Sequence, residues 1–191
     1  MTILFLGLSG SGKDTQAELL AEKLGNATVI STGEILRQVA KSGEGELANK
    51  IKSYLDKGLW VPDELVYEIL GNHLKKITYK HIFLSGAVRT SSQVALLDNE
   101  LEKLQRPLEM VIILDVSREE VFKRLIARGR SDDEVEIIEN RIKEFEKNIS
   151  PILEIYEKRG ILFRVDGNRS IQAIHEDILD IIKKHYDVNF S

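Results

Sequence analysis

The sequence predicts an α/β fold, with a doubly wound parallel sheet of five strands and a single domain over residues 1–191. Five short runs rich in Ile, Leu, Val and Phe do not alternate with polar residues, which is typical of strands buried on both faces: 3–6, 28–30, 82–84, 111–114 and 162–165. Amphipathic stretches of helical period separate these runs, and strand alternating with helix predicts βαβ units. The spatial order of the strands does not follow from this pattern.

Capping signals mark several helix ends. Gly25 is a plausible stop for the first helix, and Pro62 suits a first helical turn. The S-x-x-E capping box occurs at Ser31, Ser117 and Ser131. Two regions resemble insertions on the sheet: residues 32–75, almost wholly helical, and residues 129–160, where we expect a charged helix pair.

The amino-acid composition argues against several classes of function. A hydrophobic fraction of 42% provides a core, and a net charge of -4 argues against general binding of duplex DNA. The chain has no Cys, which excludes disulfides, Cys nucleophiles and Cys-ligated zinc. No apolar run approaches the length of a membrane span, and the N-terminus lacks the features of a secretory signal. We therefore expect a cytoplasmic protein without nucleic acid or membrane partners, and a monomer is favoured.

The clearest chemical signal is a glycine-rich stretch at residues 7–16, between a predicted strand and a predicted helix. Glycines let several backbone N–H groups point at one anion, and the following helix adds its positive end. Lys13 adds a full charge for the outer phosphates. The match to G-x-x-x-x-G-K-[ST] is imperfect because Asp14 precedes the hydroxyl of Thr15.

Cationic residues recur in predicted loops and at helix edges. Arginine binds phosphate bidentately and stays charged when desolvated. Each one alone is compatible with a solvated surface ion pair, but one phosphate does not need so many. Two polyphosphate ligands would need them. The set is Lys13, Arg37, Arg89, Arg124, Arg128, Arg130 and Arg141.

Taken together, the motifs resemble those of the adenylate kinase family of nucleoside monophosphate kinases, from Ile3 to about Ile178. The similar segments are the phosphate loop with its Thr-Gln, the S-T-G-[DE]-x-L-R signature, the G-x-x-V-P-D-x-x-V segment, a degraded D-G-F-P-R-T-x-x-Q stretch, the lid arginines, and a loop near the ATP base. They lie at 7–16, 31–37, 58–66, 85–93, 124–141 and 166–167.

The resemblance implies a P-loop NTPase-like kinase domain with a nucleoside monophosphate (NMP)-binding helical insert at 32–75 and a very short lid at 129–140. The implied reaction is reversible, Mg²⁺-dependent phosphoryl transfer from ATP to AMP, giving two ADP. The pattern at Thr90 and Gln93 favours AMP. The alternatives are a CMP/UMP kinase of the same family and a nucleotide-binding module that has lost turnover.

The resemblance also implies site residues. The catalytic residues would be Lys13, Arg89, Arg128, Arg130 and Arg141. ATP would be bound by Ser9, Gly10, Ser11, Gly12, Lys13, Asp14, Thr15, Arg124, Arg128 and Arg169. AMP would be bound by Thr32, Arg37, Leu59, Val61, Gly86, Arg89 and Gln93.

Among the departures from the family pattern, two concern Mg²⁺. Ser85 stands where the family usually has an Asp that holds waters around Mg²⁺, and Asp14 replaces a small residue. We expect no direct metal ligand, with Mg²⁺ held through ATP and water. The candidate carboxylates for contact with that water are Glu34, Asp115 and Asp14. Our hypothesis is that Asp14 has partly taken over the role lost at Ser85.

Overall fold

The computed structural model describes residues 1–43, 45–57, 59–129 and 134–186. Strands and helices alternate along this part of the chain. The strands are β1 Thr2–Leu6, β2 Ala27–Ser31, β3 His81–Ser85, β4 Met110–Asp115 and β5 Leu162–Asp166. The helices are α1 Lys13–Leu24, α2 Thr32–Ser42, α3 Gly45–Leu55, α4 Asp63–Leu74, α5 Ser91–Lys103, α6 Arg118–Arg128, α7 Val135–Lys158 and α8 Ile171–His185.

The strands form one parallel sheet in the order β2-β3-β1-β4-β5, which confirms the predicted fold class. The connection after β1 leads toward β2, whereas the connection after the neighbouring strand β3 leads the other way, toward β4, so the strand order reverses between β1 and β3. Ligands of open parallel sheets bind in the crevice beyond the carboxyl ends of the strands at such a point. The loops after β1 and β3 both lie at this edge.

Alternate residues of each strand point to opposite faces and belong to two separate cores. On one face, Leu4 and Leu84 pack with helices α4, α5 and α7. On the other face, Ile3 and Phe83 pack with α1 and α8. Both faces of the sheet are covered, which explains the uninterrupted apolar runs of the strands. In the described residues, no helix is both long enough and apolar enough to cross a bilayer.

The prediction of a helix pair at 129–160 is wrong. A single helix, α7, runs for 24 residues and contains Pro151. Its buried apolar positions, Ile138, Ile142, Ile152 and Tyr156, continue past the proline with helical spacing, so tertiary packing holds one continuous helix.

The capping boxes have three different outcomes. Ser117 caps α6, and its Oγ accepts a hydrogen bond from the Glu120 N–H. Ser31 is the N-cap of α2 but makes no side-chain cap bond. The cap predicted at Ser131 is wrong, because α7 begins at Val135 with Glu134 as its N-cap; Ser131 itself lies outside the described residues. Gly25 ends α1 as predicted.

Candidate active site

The loop between β1 and α1 is held in a compact shape by a hydrogen bond within its own backbone. The N–H of Ser11 donates to the carbonyl of Leu8 at 3.0 Å, which closes a tight turn. Gly10 has a φ of +85°, and a Cβ there would lie 2.8 Å from Cγ of Leu125 in α6. Only glycine fits this position, because both its backbone angle and its contact with α6 exclude a side chain. The loop therefore presents backbone N–H groups at the start of α1.

Lys13 is the first residue of α1, and its Nζ donates to the carbonyl of Leu8 at 3.1 Å. Burial, together with the nearby charges of Arg89 and Arg128, lowers the pKa of Lys13 to about 8, although the Asp14 carboxylate opposes the shift. An anion bound beside Lys13 would relieve this repulsion, so the cost of holding the charge is itself an argument for an anion site.

A cavity at the carboxyl edge of the sheet, here called the inner cavity, collects cations from four helices and a loop. Its cationic side chains are Lys13, Arg37, Arg89, Arg128 and Arg141. Burial lowers the pKa of Arg89, and the charges of Arg141 and Arg37 act in the same direction. Among the described residues that line this cavity, Asp14 is the only acidic one. This excess of fixed positive charge suits a polyanion.

A second cavity of about 550 Å³, here called the outer cavity, lies beside the phosphate loop. It includes Gly10–Thr15 of the loop, together with Arg124, Arg128 and Arg169. Arg124 donates to the carbonyl of Ser11 at 3.3 Å and to that of Gly167 at 3.0 Å, so it joins the phosphate loop to the loop after β5. The volume is in the range of small-molecule sites.

A third and smaller cavity, here called the side cavity, lies between the helical insert and the loop after β3. Of the residues predicted to bind AMP, it is lined by Thr32, Val61, Gly86, Arg89 and Gln93. The hydroxyl of Thr32 is buried, at 3% exposure, and has no hydrogen-bond partner among the described residues. Leaving a buried polar group unpaired costs stability, which points to a ligand that supplies the partner.

The carboxylates proposed near Mg²⁺ lie in different places. Asp14 lines both the inner and the outer cavity, and the Ser85 hydroxyl donates to its Oδ1. Glu34 pairs with Arg37 at 3.0 Å and Asp115 with Arg164 at 3.4 Å; neither carboxylate lines these cavities. In the described part of the chain, no cluster of three or more His, Cys, Asp or Glu could hold a metal by itself.

The structure thus brings together most of the residues predicted from the sequence. Ser9 and Leu59 also line the inner cavity. Arg130 lies outside the described residues, as does part of the 129–140 segment.

Sequence reasoning missed several lining residues. Trp60 lines both the inner and the side cavity, Phe145 of α7 lines the inner cavity, and Ile171 lines the outer one. Trp60 is the single Trp of the chain and sits inside the segment 58–66, so its type and place were a usable signal. Phe145 and Ile171 follow ordinary helical periodicity, and nothing in the pattern marks them.

Comparison with known proteins agrees with this geometry. The family model for adenylate kinase matches residues 5–161. An adenylate kinase from Prochlorococcus marinus (strain NATL2A) is 40% identical over 172 residues, covering 90% of this chain and 93% of the relative. Adenylate kinase 1 of Synechocystis is 38% identical and covers 95% and 96%, and an adenylate kinase of Bifidobacterium longum is 41% identical and covers 94% and 98%. The chain belongs to the adenylate kinase family.

Proposed function

We propose that this protein catalyses reversible phosphoryl transfer from ATP to AMP, giving two ADP. The observation that carries the proposal is the way the three cavities share walls. Lys13, Asp14 and Arg128 line both the outer and the inner cavity, while Gly86 and Arg89 line both the inner and the side cavity. The phosphates of two nucleotides entering from opposite sides would therefore meet among the cations of the inner cavity.

The outer cavity suits the donor. The backbone N–H groups at Gly10–Thr15 and the charge of Lys13 would hold the phosphates of ATP, and Ser9 extends the same loop. Arg124 and Arg169 would lie near the base and ribose. Arg124 is already held by two loop carbonyls, so its guanidinium is oriented before ATP arrives.

The residues around the side cavity and the adjoining part of the inner cavity suit the acceptor, although the side cavity, at about 10 Å³, must widen to admit a base. Arg37 and Arg89 would bind the phosphate of AMP, while Thr32, Val61 and Gln93 would surround its nucleoside. Leu59 and Gly86 line the adjoining inner cavity. The N-cap position of Ser31 places α2 with its first turn at this cavity, which adds the positive end of a helix.

The transfer step needs alignment and charge neutralisation more than covalent chemistry. An oxygen of the AMP phosphate attacks the terminal phosphorus of ATP, and the bond from that phosphorus to the bridging oxygen of the leaving ADP breaks. Lys13, Arg89, Arg128 and Arg141 would neutralise charge on the transferring group, with Arg130 as a further candidate. We assign no nucleophile and no general base to the protein.

The site also fits a hydrated Mg²⁺, which supplies charge neutralisation on the phosphates of ATP when it is bound. Asp14 is the acidic residue common to the inner and outer cavities, and Ser85 fixes one of its oxygens. Asp14 would hold the ion through water. Glu34 and Asp115 are less suited, because each is paired with an arginine and neither carboxylate lines these cavities.

A coupled assay with ATP, Mg²⁺ and a panel of AMP, CMP, UMP and GMP tests the proposal. We expect AMP to be the best acceptor, and Arg89→Ala to abolish most transfer, with Arg159→Ala as the control because Arg159 forms a surface pair with Asp98. Preferred use of CMP or UMP would assign the chain to the pyrimidine kinases. ATP binding without transfer to any acceptor would contradict the kinase proposal.

We also propose that the protein is a cytoplasmic monomer. Light scattering tests its oligomeric state.

A further inference from the structure

Gln93, in the first turn of α5, has both ends of its carboxamide held by other residues. The backbone N–H of Arg89 donates to Oε1 at 2.6 Å, and Nε2 donates to Oδ1 of Asp63 at 2.6 Å. The side chain is buried, at 4% exposure. Rotating the amide by half a turn would set two donors against each other at Arg89 and an oxygen against a carboxylate at Asp63. The two contacts therefore fix one orientation.

This fixed orientation decides what the side cavity offers a ligand. A carboxamide has two N–H groups, and Asp63 takes one of them, which leaves one donor on Nε2. Gln93 lines the side cavity beside Thr32 and Trp60. An adenine ring nitrogen accepts hydrogen bonds, whereas N1 of guanine carries a hydrogen. A fixed N–H donor can therefore form a hydrogen bond with the adenine nitrogen, but it would face another N–H at N1 of guanine.

Asp63 belongs to the helical insert and not to the element that carries Gln93. It is the first residue of α4, and its second oxygen accepts from the Ser92 hydroxyl at 3.3 Å. The hydroxyl of Tyr67, one turn further along α4, lies 2.6 Å from the carbonyl oxygen of Ala87 and 2.9 Å from that of Gln93. Through the hydrogen bonds of Asp63 and Tyr67, the first turns of α4 thus hold the loop after β3 and the start of α5 in place.

We propose that Asp63 is a positioning residue that fixes the Gln93 carboxamide, and thereby sets the preference for adenine in the acceptor nucleotide. The inference rests on the proposed function, since it concerns the acceptor subsite of that reaction. Asp63 acts through Gln93 and need not touch the nucleotide. Its effect is therefore specific to the base and to the acceptor side.

The test compares Asp63→Ala and Asp63→Asn with Glu64→Ala, a matched control that removes an exposed carboxylate from the same helical turn. Calorimetry gives the Kd of AMP, GMP and ATP, and steady-state assays give KM and kcat for AMP. For Asp63→Ala we expect AMP affinity to fall by about tenfold, the size of one hydrogen bond between Gln93 and adenine, with GMP and ATP affinities within twofold.

Asparagine can still offer an oxygen to Nε2 of Gln93, so Asp63→Asn is expected to keep most of the preference of AMP over GMP. Should the alanine variant fail to fold, Asp63→Ser carries the same expectation, since serine is too short to replace the contact but suits a helix start.

Equal losses for AMP and GMP in Asp63→Ala, or values matching Glu64→Ala, would overturn the inference and reduce Asp63 to a structural role. A wild-type protein that transfers no phosphoryl group would contradict the proposed function instead, and the two failures are therefore distinguishable.

Discussion

The pKa of Lys13 leads to a quantitative prediction about pH. Burial lowers it to about 8, so below that pH the charge is present in the free protein and above it the charge is lost. A group with a pKa of about 8 is about nine-tenths protonated at pH 7 and about one-tenth at pH 9. If only the charged form binds the phosphates of ATP productively, kcat/KM for ATP should fall about tenfold between these values.

The measurement is kcat/KM for MgATP at saturating AMP from pH 6 to 10, because this parameter reports the pKa of the free enzyme. Lys13→Arg is the control, since arginine stays charged and its profile should lose the alkaline limb whatever its absolute rate. Asp14→Asn should move the limb to lower pH, because the Asp14 carboxylate opposes the downward shift. A wild-type profile flat to pH 10, or an unchanged limb in Lys13→Arg, would refute the reasoning.

Three further predictions concern charge and stability. Asp14→Gly should raise the Mg²⁺ concentration needed for tight ATP binding, and adding Ser85→Asp should restore it; calorimetry of ATP with and without Mg²⁺ checks this, and an unchanged requirement in Asp14→Gly would contradict it. Arg89→Ala should slow transfer by about 10³-fold or more, and a loss under about tenfold in a folded variant would remove Arg89 from the site. Ser117→Ala should lower the free energy of unfolding by about 1 kcal/mol, whereas Ser53→Ala, on an exposed face of α3, should change it by less than about 0.5 kcal/mol; thermal melts distinguish them.

Patterns that depend on local chemistry could be predicted from the sequence. The five apolar runs became the five strands because both faces of a parallel sheet are buried. The phosphate loop was recognisable because its glycines and Lys13 lie close together in the sequence, within residues 7–13. The contribution of Ser117 was visible because a cap acts within one turn.

Features that depend on distant pairings could not be predicted. The hydrogen bond between Asp14 and Ser85 joins residues 71 positions apart, and neither residue type indicates that the two side chains pair. The contact from Asp63 to Gln93 spans 30 positions and depends on how α4 packs against α5. The single helix α7 was misjudged because its apolar stripe, set by tertiary packing, continues past Pro151.

The central claim is that one set of fixed cations holds the phosphate groups of two nucleotides end to end. A crystal structure with a bisubstrate compound, two adenosines joined by five phosphates, tests it most directly. We expect the side-chain nitrogens of Lys13, Arg37, Arg89, Arg128 and Arg141 within hydrogen-bonding distance of the phosphate chain, with one adenine in the outer cavity and the other in the side cavity. A compound bound with these guanidinium groups directed away from its phosphates would contradict the account.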